Sequence, residues 1–343
     1  MATSAEPRVA LYFDFDNIVI SRYDQLHGDS AYRKDTSRGK APTTETAKKL
    51  AEATVDIDAV LDFAATFGTI AIARAYADWS TPINASYRGQ LIDRAVDLVQ
   101  LFPLSATKNG ADIRLAVDAV EDMFRLEDLT HIVIVAGDSD YVALAQKCKR
   151  LGRYVVGIGV AGGTSRALTA SCDEYADYDA LLATDAAVRD DEASDSSNGV
   201  AAAAAPEAAP APKAKRGRAK SPAPEEQSGP DEGSEADDGK RASAGAKRDG
   251  DKPTEEPEAA PQGGTRNPGR LLLKALELLR AKNDEEWQSS GSVKNQMLRM
   301  DPSFQERRLG FASFTDFLKS RGGVVELDET TGQNRVRIRA KKG

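Results

Sequence analysis

Histidine and cysteine are almost missing from this chain, with two of each among 343 residues. Cys148 and Cys172 form no CxxC pair, and His27 and His131 stand isolated from them and from each other. A zinc centre needs several such ligands at close spacing, and a triad-type Ser or Cys nucleophile needs a His base beside it. Both chemistries are therefore excluded, and the two thiols are expected to be reduced and partly buried. Long apolar runs are missing too. None approaches the roughly 20 residues of a membrane span, and the opening MATSAEPRVA has neither the basic nor the hydrophobic block of a secretory signal. A soluble, cytoplasmic protein without a membrane partner is expected.

The net charge of −8 conceals an asymmetry. From Pro268 onward fifteen Lys and Arg face ten Asp and Glu, a local +5 that leaves −13 on everything before it. A small basic domain suits a polyanionic partner through counterion release, although a charge run is also the ordinary solvated face of many domains. Composition divides the chain in three. Residues 8–185 carry regular apolar patterning. Residues 186–267 are Ala, Pro, Ser, Gly and charged residues with almost no large apolar side chain, too few to offset ordering entropy, so a disordered linker is expected there. Its basic run Lys213 to Lys220 suits nucleic acid or a nuclear address, or is simply solvated. Apolar periodicity resumes over 268–343.

In the first part strands are predicted over Val9 to Asp14, Thr69 to Ala77, Asp97 to Leu101, His131 to Ala136 and Tyr154 to Val160. They are short and apolar, as strands buried on both faces should be. Helical patterns fall between them, over Glu45 to Phe67, Asn84 to Val96, Ala111 to Arg125, Tyr141 to Leu151 and Ser165 to Cys172. The alternation implies right-handed βαβ units and a mainly parallel sheet. Ala111 to Arg125 has the clearest periodicity, with Ile113, Ala116, Val117, Val120 and Phe124 on one stripe. Arg22 to Thr44 breaks the rhythm and reads as an insertion beside the site.

Aspartates mark the strand ends. Asp14 in LYFDFDN, Asp78 in AYADW and Asp138 in VAGDSD each close a predicted strand, on the edge where open parallel sheets place their sites. Asp112 opens a helix after Gly110, and Asp140 follows Asp138 by two. Asp16 follows Asp14 by two, so the pair is expected on one side of an extended strand. Any one of these could cap a helix or loop; capping does not account for their coincidence. Carboxylates about 4 Å apart repel by roughly 4 kcal/mol per pair at an effective dielectric near 20, so the group requires a cation. Oxygen ligands without Cys or His favour Mg²⁺ or Mn²⁺, and the expected substrate bears phosphate.

The last part reads as three helices, GRLLLKALELLRAK, SVKNQMLRM and FASFTDFLKSR, then two strands, VVELDE and RVRIR, around the turn TGQN. That order gives a winged helix, a binding scaffold without a reactive cluster. Arg307, Arg308, Lys319, Arg321, Arg335, Arg337 and Arg339 supply its basic surface, while Phe304, Phe311 and Phe314 are expected in its core.

LYFDFDN, AYADW, KNGADIRLAVDAV, HIVIVAGDSDYVALAQKCKRLGRYVVGIG and TSRALTASCDEY together resemble the NYN domain, a branch of the PIN-like, metal-dependent ribonuclease superfamily, across 8–185. DPSFQERRLGFASFTDFLKSRGGVVELDETTGQNRVRIR resembles the OST-HTH or LOTUS domain, a winged helix associated with RNA, within 268–343. The first resemblance implies an α/β fold, a Rossmann-like PIN-type parallel sheet, whose acids hold Mg²⁺ or Mn²⁺ for RNA hydrolysis. Asp14, Asp112, Asp138 and Asp140 would be catalytic, and Asp14, Asp78, Asp112 and Asp138 would face the metal. Asn17, Lys108 and Arg114 would approach the RNA, though here Asn109 separates Lys108 from Gly110. The second resemblance implies an RNA partner for Arg307, Arg308, Arg335, Arg337 and Arg339, with protein docking as the open alternative. Two other functions stand beside the ribonuclease. DFDNIV comes near the strand-end motif of haloacid-dehalogenase-like phosphatases, with Asp14 as nucleophile and Asp16 as acid, although position 18 is Ile and the C-terminal domain then goes unexplained. The third is a non-catalytic RNA-binding regulator on a nuclease fold.

Overall fold

Five of the apolar runs become parallel strands in the computed structural model, which describes residues 6–36, 43–102, 110–183, 267–330 and 334–340. They are β1 (Arg8–Asp14), β2 (Thr69–Ala77), β3 (Asp97–Gln100), β4 (His131–Val135) and β5 (Tyr154–Gly159), and a sixth, β6 (Glu174–Asp177), joins beside β5. The order is β3-β2-β1-β4-β5-β6, parallel throughout. β6 is only four half-buried residues, too short to show a period. Residues 186–266 of the expected linker, Lys213 to Lys220 among them, lie outside the described residues, as does Lys108, while Asn267 caps the helix that follows.

Several helices differ from expectation, each for a local reason. β1 stops at Asp14, whose carboxylate caps α1 (Phe15–His27) by accepting from the Asn17 amide at 3.2 Å. Asp14 and Asp16 therefore do not share the side of a strand: one ends it and the other sits in the first helical turn. α1 and α2 (Ala31–Asp35) also occupy much of the stretch read as an insertion. The single helix expected over Glu45 to Phe67 is two, α3 (Thr44–Glu52) and α4 (Ile57–Ala64), because Asp56 caps the second through the Ala59 amide. Asn84 to Val96 likewise divides into α5 (Pro82–Ala85) and α6 (Arg88–Asp93), and Ala95 beyond them is left-handed at φ 54°.

The largest difference is in α7 (Gly110–Arg125). Of its expected core stripe Ala116 and Val120 pack partly covered against the core, but Ile113, Val117 and Phe124 are 57–65 % exposed, while Leu115, Asp118, Ala119, Asp122 and Met123 face the sheet. The sheet decides this. β1 and β2 present the hydroxyls of Tyr12 and Tyr76 and the Arg74 guanidinium toward α7, and buried donors require acceptors. Tyr12 donates to Asp122 at 2.9 Å, Arg74 pairs with Asp122 at 2.5 Å, and Tyr76 donates to Asp118 at 3.0 Å. The helix is seated by its carboxylates.

The chain continues through a 3₁₀ turn (Ser139–Tyr141), α8 (Val142–Arg150) and α9 (Arg166–Ser171). C-terminal to the undescribed stretch come α10 (Pro268–Asn283), β7 (Gln288–Ser289), α11 (Ser290–Met300), α12 (Phe314–Ser320), β8 (Val325–Asp328) and β9 (Arg335–Ile338). The three strands form an antiparallel sheet in the order β7-β9-β8. This is the expected winged-helix arrangement, with β7 as an added two-residue edge. Phe304, Phe314 and Phe317 are buried edge to face in its core, and Phe311 packs on them partly covered.

Candidate active site

In this strand order the direction of progression reverses between β1 and β4, and a parallel α/β sheet opens a crevice past the strand ends at such a switch point. Asp14 closes β1, and Asp138 follows three residues after Val135, the last residue of β4. Asn17, one helical turn into α1, ties them together. Its backbone amide donates to Asp14 Oδ1, its Nδ2 donates to Asp138 Oδ2 at 3.3 Å, and its Oδ1 accepts from the Gly137 amide at 3.0 Å. Gly137 has to be glycine for this: a Cβ there would lie 2.7 Å from the Gly163 carbonyl oxygen and 3.5 Å from Asn17 Oδ1. Asp138 occupies the position before a 3₁₀ turn yet makes no side-chain capping bond, so the capping explanation does not apply to it.

Asp112 enters from the first turn of α7. Tyr141 joins it to Asp14, its hydroxyl donating to Asp14 Oδ2 at 2.9 Å while also lying in hydrogen-bond contact with Asp112. Burial and the two carboxylates raise the Tyr141 phenol far above its ordinary range, so it stays protonated. Asp14 is 3 % exposed. Burial pushes its carboxyl up to about 7 against the opposing hydrogen bonds of Tyr141 and Asn17, and the charges of Asp112 and Asp16 push the same way. Tyr141 was not among the sequence candidates, although it directly follows GDSD; no composition signal distinguishes it from a core tyrosine.

Asp16 and Asp78 form a second acidic pair beside Asp14. Asp16 accepts from Asn84 Nδ2 at 2.7 Å and from the Asp78 amide at 3.3 Å, and burial raises its carboxyl. Asp78 Oδ1 accepts from the Ser80 amide and hydroxyl and from Gln100 Nε2 at 2.9 Å. Asp140 is exposed on the 3₁₀ turn, and Arg114 is exposed with its Nε on Asp118 at 2.9 Å. Among the described residues no three acid, His or Cys side chains stand together as a complete metal cage.

In the C-terminal domain Arg307, Arg308, Arg335 and Arg339 are exposed. Arg337 is held between Glu326 at 2.8 Å and Glu286 at 3.1 Å, with its guanidinium 4.6 Å over the Trp287 ring.

Residues 8–179 match the NYN domain family and residues 270–336 the OST-HTH/LOTUS domain family. Over 127 residues the chain is 30 % identical to the uncharacterized protein MJ0482 of Methanocaldococcus jannaschii, covering 37 % of this chain and 48 % of that one, so the chain spans about half the length of this relative. Among solved structures, VPA0982 of Vibrio parahaemolyticus, a protein of unknown function, aligns with 52 % of this chain and 96 % of its own at 18 % identity and a TM-score of 0.37. Among the described residues no helix is long and apolar enough to cross a membrane.

Proposed function

We propose that this chain, which belongs to the NYN domain family and carries an OST-HTH/LOTUS domain, is a metal-dependent ribonuclease that hydrolyses RNA phosphodiester bonds. The observation that carries this reading is the buried Asp14 carboxylate, brought to one hydroxyl with Asp112 and pressed toward neutrality. Burying like charges together costs folding energy, and perturbed carboxyls at a sheet crevice mark functional sites. The donors fit Mg²⁺ or Mn²⁺, which are held through one or two carboxylates beside water and substrate phosphate, without a full protein cage. Asp14, Asp112 and Asp138 would hold the ion, with Asp78 as a further ligand from the same sheet edge.

When bound, such an ion supplies charge neutralisation at the phosphate and a water of lowered pKa. The protein's own groups do the positioning. Asn17 fixes the spacing between Asp14 and Asp138, and Tyr141 orients the facing oxygens of Asp14 and Asp112. Asp140, exposed beside them, orients the attacking water and accepts its proton. Lys108 and Arg114 meet the phosphate, Arg114 less freely because Asp118 holds it. The LOTUS domain contributes affinity through Arg307, Arg308, Arg335 and Arg339. Arg337, already committed to two glutamates, stiffens the wing.

The test is cleavage of labelled single-stranded and structured RNA with Mg²⁺, Mn²⁺ or EDTA, beside a generic phosphomonoester. EDTA-sensitive RNA products without phosphomonoesterase activity are expected. RNA binding without turnover in any metal would select the non-catalytic regulator, and phosphomonoester turnover alone would select the phosphatase.

A further inference from the structure

Six consecutive residues of α10, Leu271 to Leu276, are all buried, Lys274 included at 5 % exposure. At 100° per residue six positions go right round a helix, and a helix covered on every side needs neighbours on every side. The winged-helix core covers one side. On another, Lys274 and Lys282 reach the NYN domain, with which the C-terminal domain forms a single unit, while α11 packs beside α4. Ala65, just past α4, belongs to the same apolar cluster as Leu272, Leu276, Met297 and Met300, and Phe63 and Ile70 pack at its margin.

Polar contacts pin this seam at three places. Asp62 of α4, fully buried, accepts from Lys274 Nζ at 2.9 Å and from Arg94 at 3.3 Å, and Arg94 reaches on to Asp58 at 2.6 Å and to the Met300 carbonyl at 3.4 Å. Lys282 donates to the Thr66 carbonyl at 2.5 Å with its ammonium 4.4 Å over the Phe67 ring. Arg299 pairs with Glu6 at 2.7 Å. Phe67 stacks on His131, the first residue of β4, so the seam follows the N-terminal edge of the sheet, opposite the edge that carries Asp14 and Asp138.

We propose that the second face of α10, together with the adjoining end of α11, docks the LOTUS domain onto α4 of the NYN domain as a fixed part of one body, with the Asp62–Lys274 pair setting the register. A buried ion pair adds little net stability over an apolar pair, but it selects one arrangement, because a slipped interface strands both charges away from water. Docking of this kind does not depend on the chain that joins the domains. The RNA-facing surface of the LOTUS domain then has a set position relative to the sheet, where a free tether would let it wander.

The experiment uses the full chain with a specific protease site introduced between residues 201 and 262. After complete cleavage the two fragments are followed by size-exclusion chromatography and native mass spectrometry at physiological salt. They are expected to migrate as one 1:1 species. Asp62→Lys, which sets a third cation beside Lys274 and Arg94, should separate them, and Lys274→Glu, which sets two buried carboxylates against each other, should separate them as well. Separation of the wild-type fragments overturns the proposal, and that result depends on no variant folding correctly. Co-migration that survives Asp62→Lys, with unchanged hydrogen-exchange protection over residues 62–66, overturns the role given to the ion pair.

Discussion

Asp14 and Asp62 are about equally buried and lie at opposite edges of one sheet, yet the chain treats them differently. Around Asp62 it supplies two cations, Lys274 and Arg94. Around Asp14 it supplies another carboxylate, a neutral phenol and an amide. Burial alone therefore does not distinguish a working group from a structural one. What distinguishes them among the described residues is the charge of their neighbours. Where those are cations, the carboxylate reads as a pin between surfaces; where they are a phenol, an amide and further carboxylates, as at Asp14, the carboxylate fits the metal-binding role proposed above.

The sharpest way to break this comparison is to neutralise each carboxylate in turn. Asp14→Asn should lower RNA cleavage by roughly 10³-fold, the several kcal/mol that a metal's charge stabilisation is worth, with Asp138→Asn similar. Neither should unfold the protein, and single-turnover rates beside thermal melts would check both points. Wild-type turnover in both variants would remove Asp14 and Asp138 from the proposed site.

At the other edge the expected loss is in stability. Lys274→Ala leaves Asp62 buried with Arg94 as its remaining cation and should cost up to about 3 kcal/mol, the lower end for a broken buried pair, whereas replacing both partners by apolar residues of similar size should cost less. Chemical denaturation of the three proteins measures this. If the single and double replacements cost the same, the pair is not acting as a coupled unit.

The pH dependence sharpens the contrast further. The Asp14 carboxyl is raised to about 7 in the folded chain, above the ordinary carboxylate value. The unfolded state therefore releases its proton first, and metal-free stability must fall as pH rises toward and through 7. Between pH 6 and 8 the loss from this group is about 1 kcal/mol. Melts in EDTA should show it, Asp14→Asn should remove it, and saturating Mg²⁺ should offset it. A metal-free protein equally stable at both pH values, or one stabilised by raising the pH, would contradict the assignment.

Much of this was legible in the sequence, and the gaps have physical causes. The parallel strands were visible because strands buried on both faces must be continuously apolar, and the strand-end aspartates followed from them. The winged helix was legible for the same reason, its core being built from periodic Leu and Phe. Asn17 could be suspected from its place in FDFDN, but Tyr141 could not, since nothing local separates a phenol facing two carboxylates from one facing the core. The helix of α10 was read from its Leu spacing, but the burial of six consecutive residues in LLLKAL was not, because the partner on the second side lies far away in the sequence. The break between α3 and α4 depended on Asp56 capping, which competes with a helical pattern that runs across it unbroken.

The orientation of α7 was the element that periodicity misread, and it gives the smallest expected effect. Ile113, Val117 and Phe124 satisfy every requirement of a core stripe, yet they are exposed because Tyr12, Arg74 and Tyr76 present polar atoms to the sheet side of the helix. Phe124→Ser should then change stability by no more than about 0.5 kcal/mol, as surface substitutions do. Were Phe124 in the core, the same change would cost several times that. Asp122→Ala supplies the matched control. It looks like a harmless surface change in the sequence, but it would leave the Tyr12 hydroxyl and the Arg74 guanidinium without their acceptor and should cost about 1–3 kcal/mol. Denaturation midpoints for the two variants decide the matter, and a Phe124 variant less stable than the Asp122 variant would turn the helix back to the face its periodicity suggests.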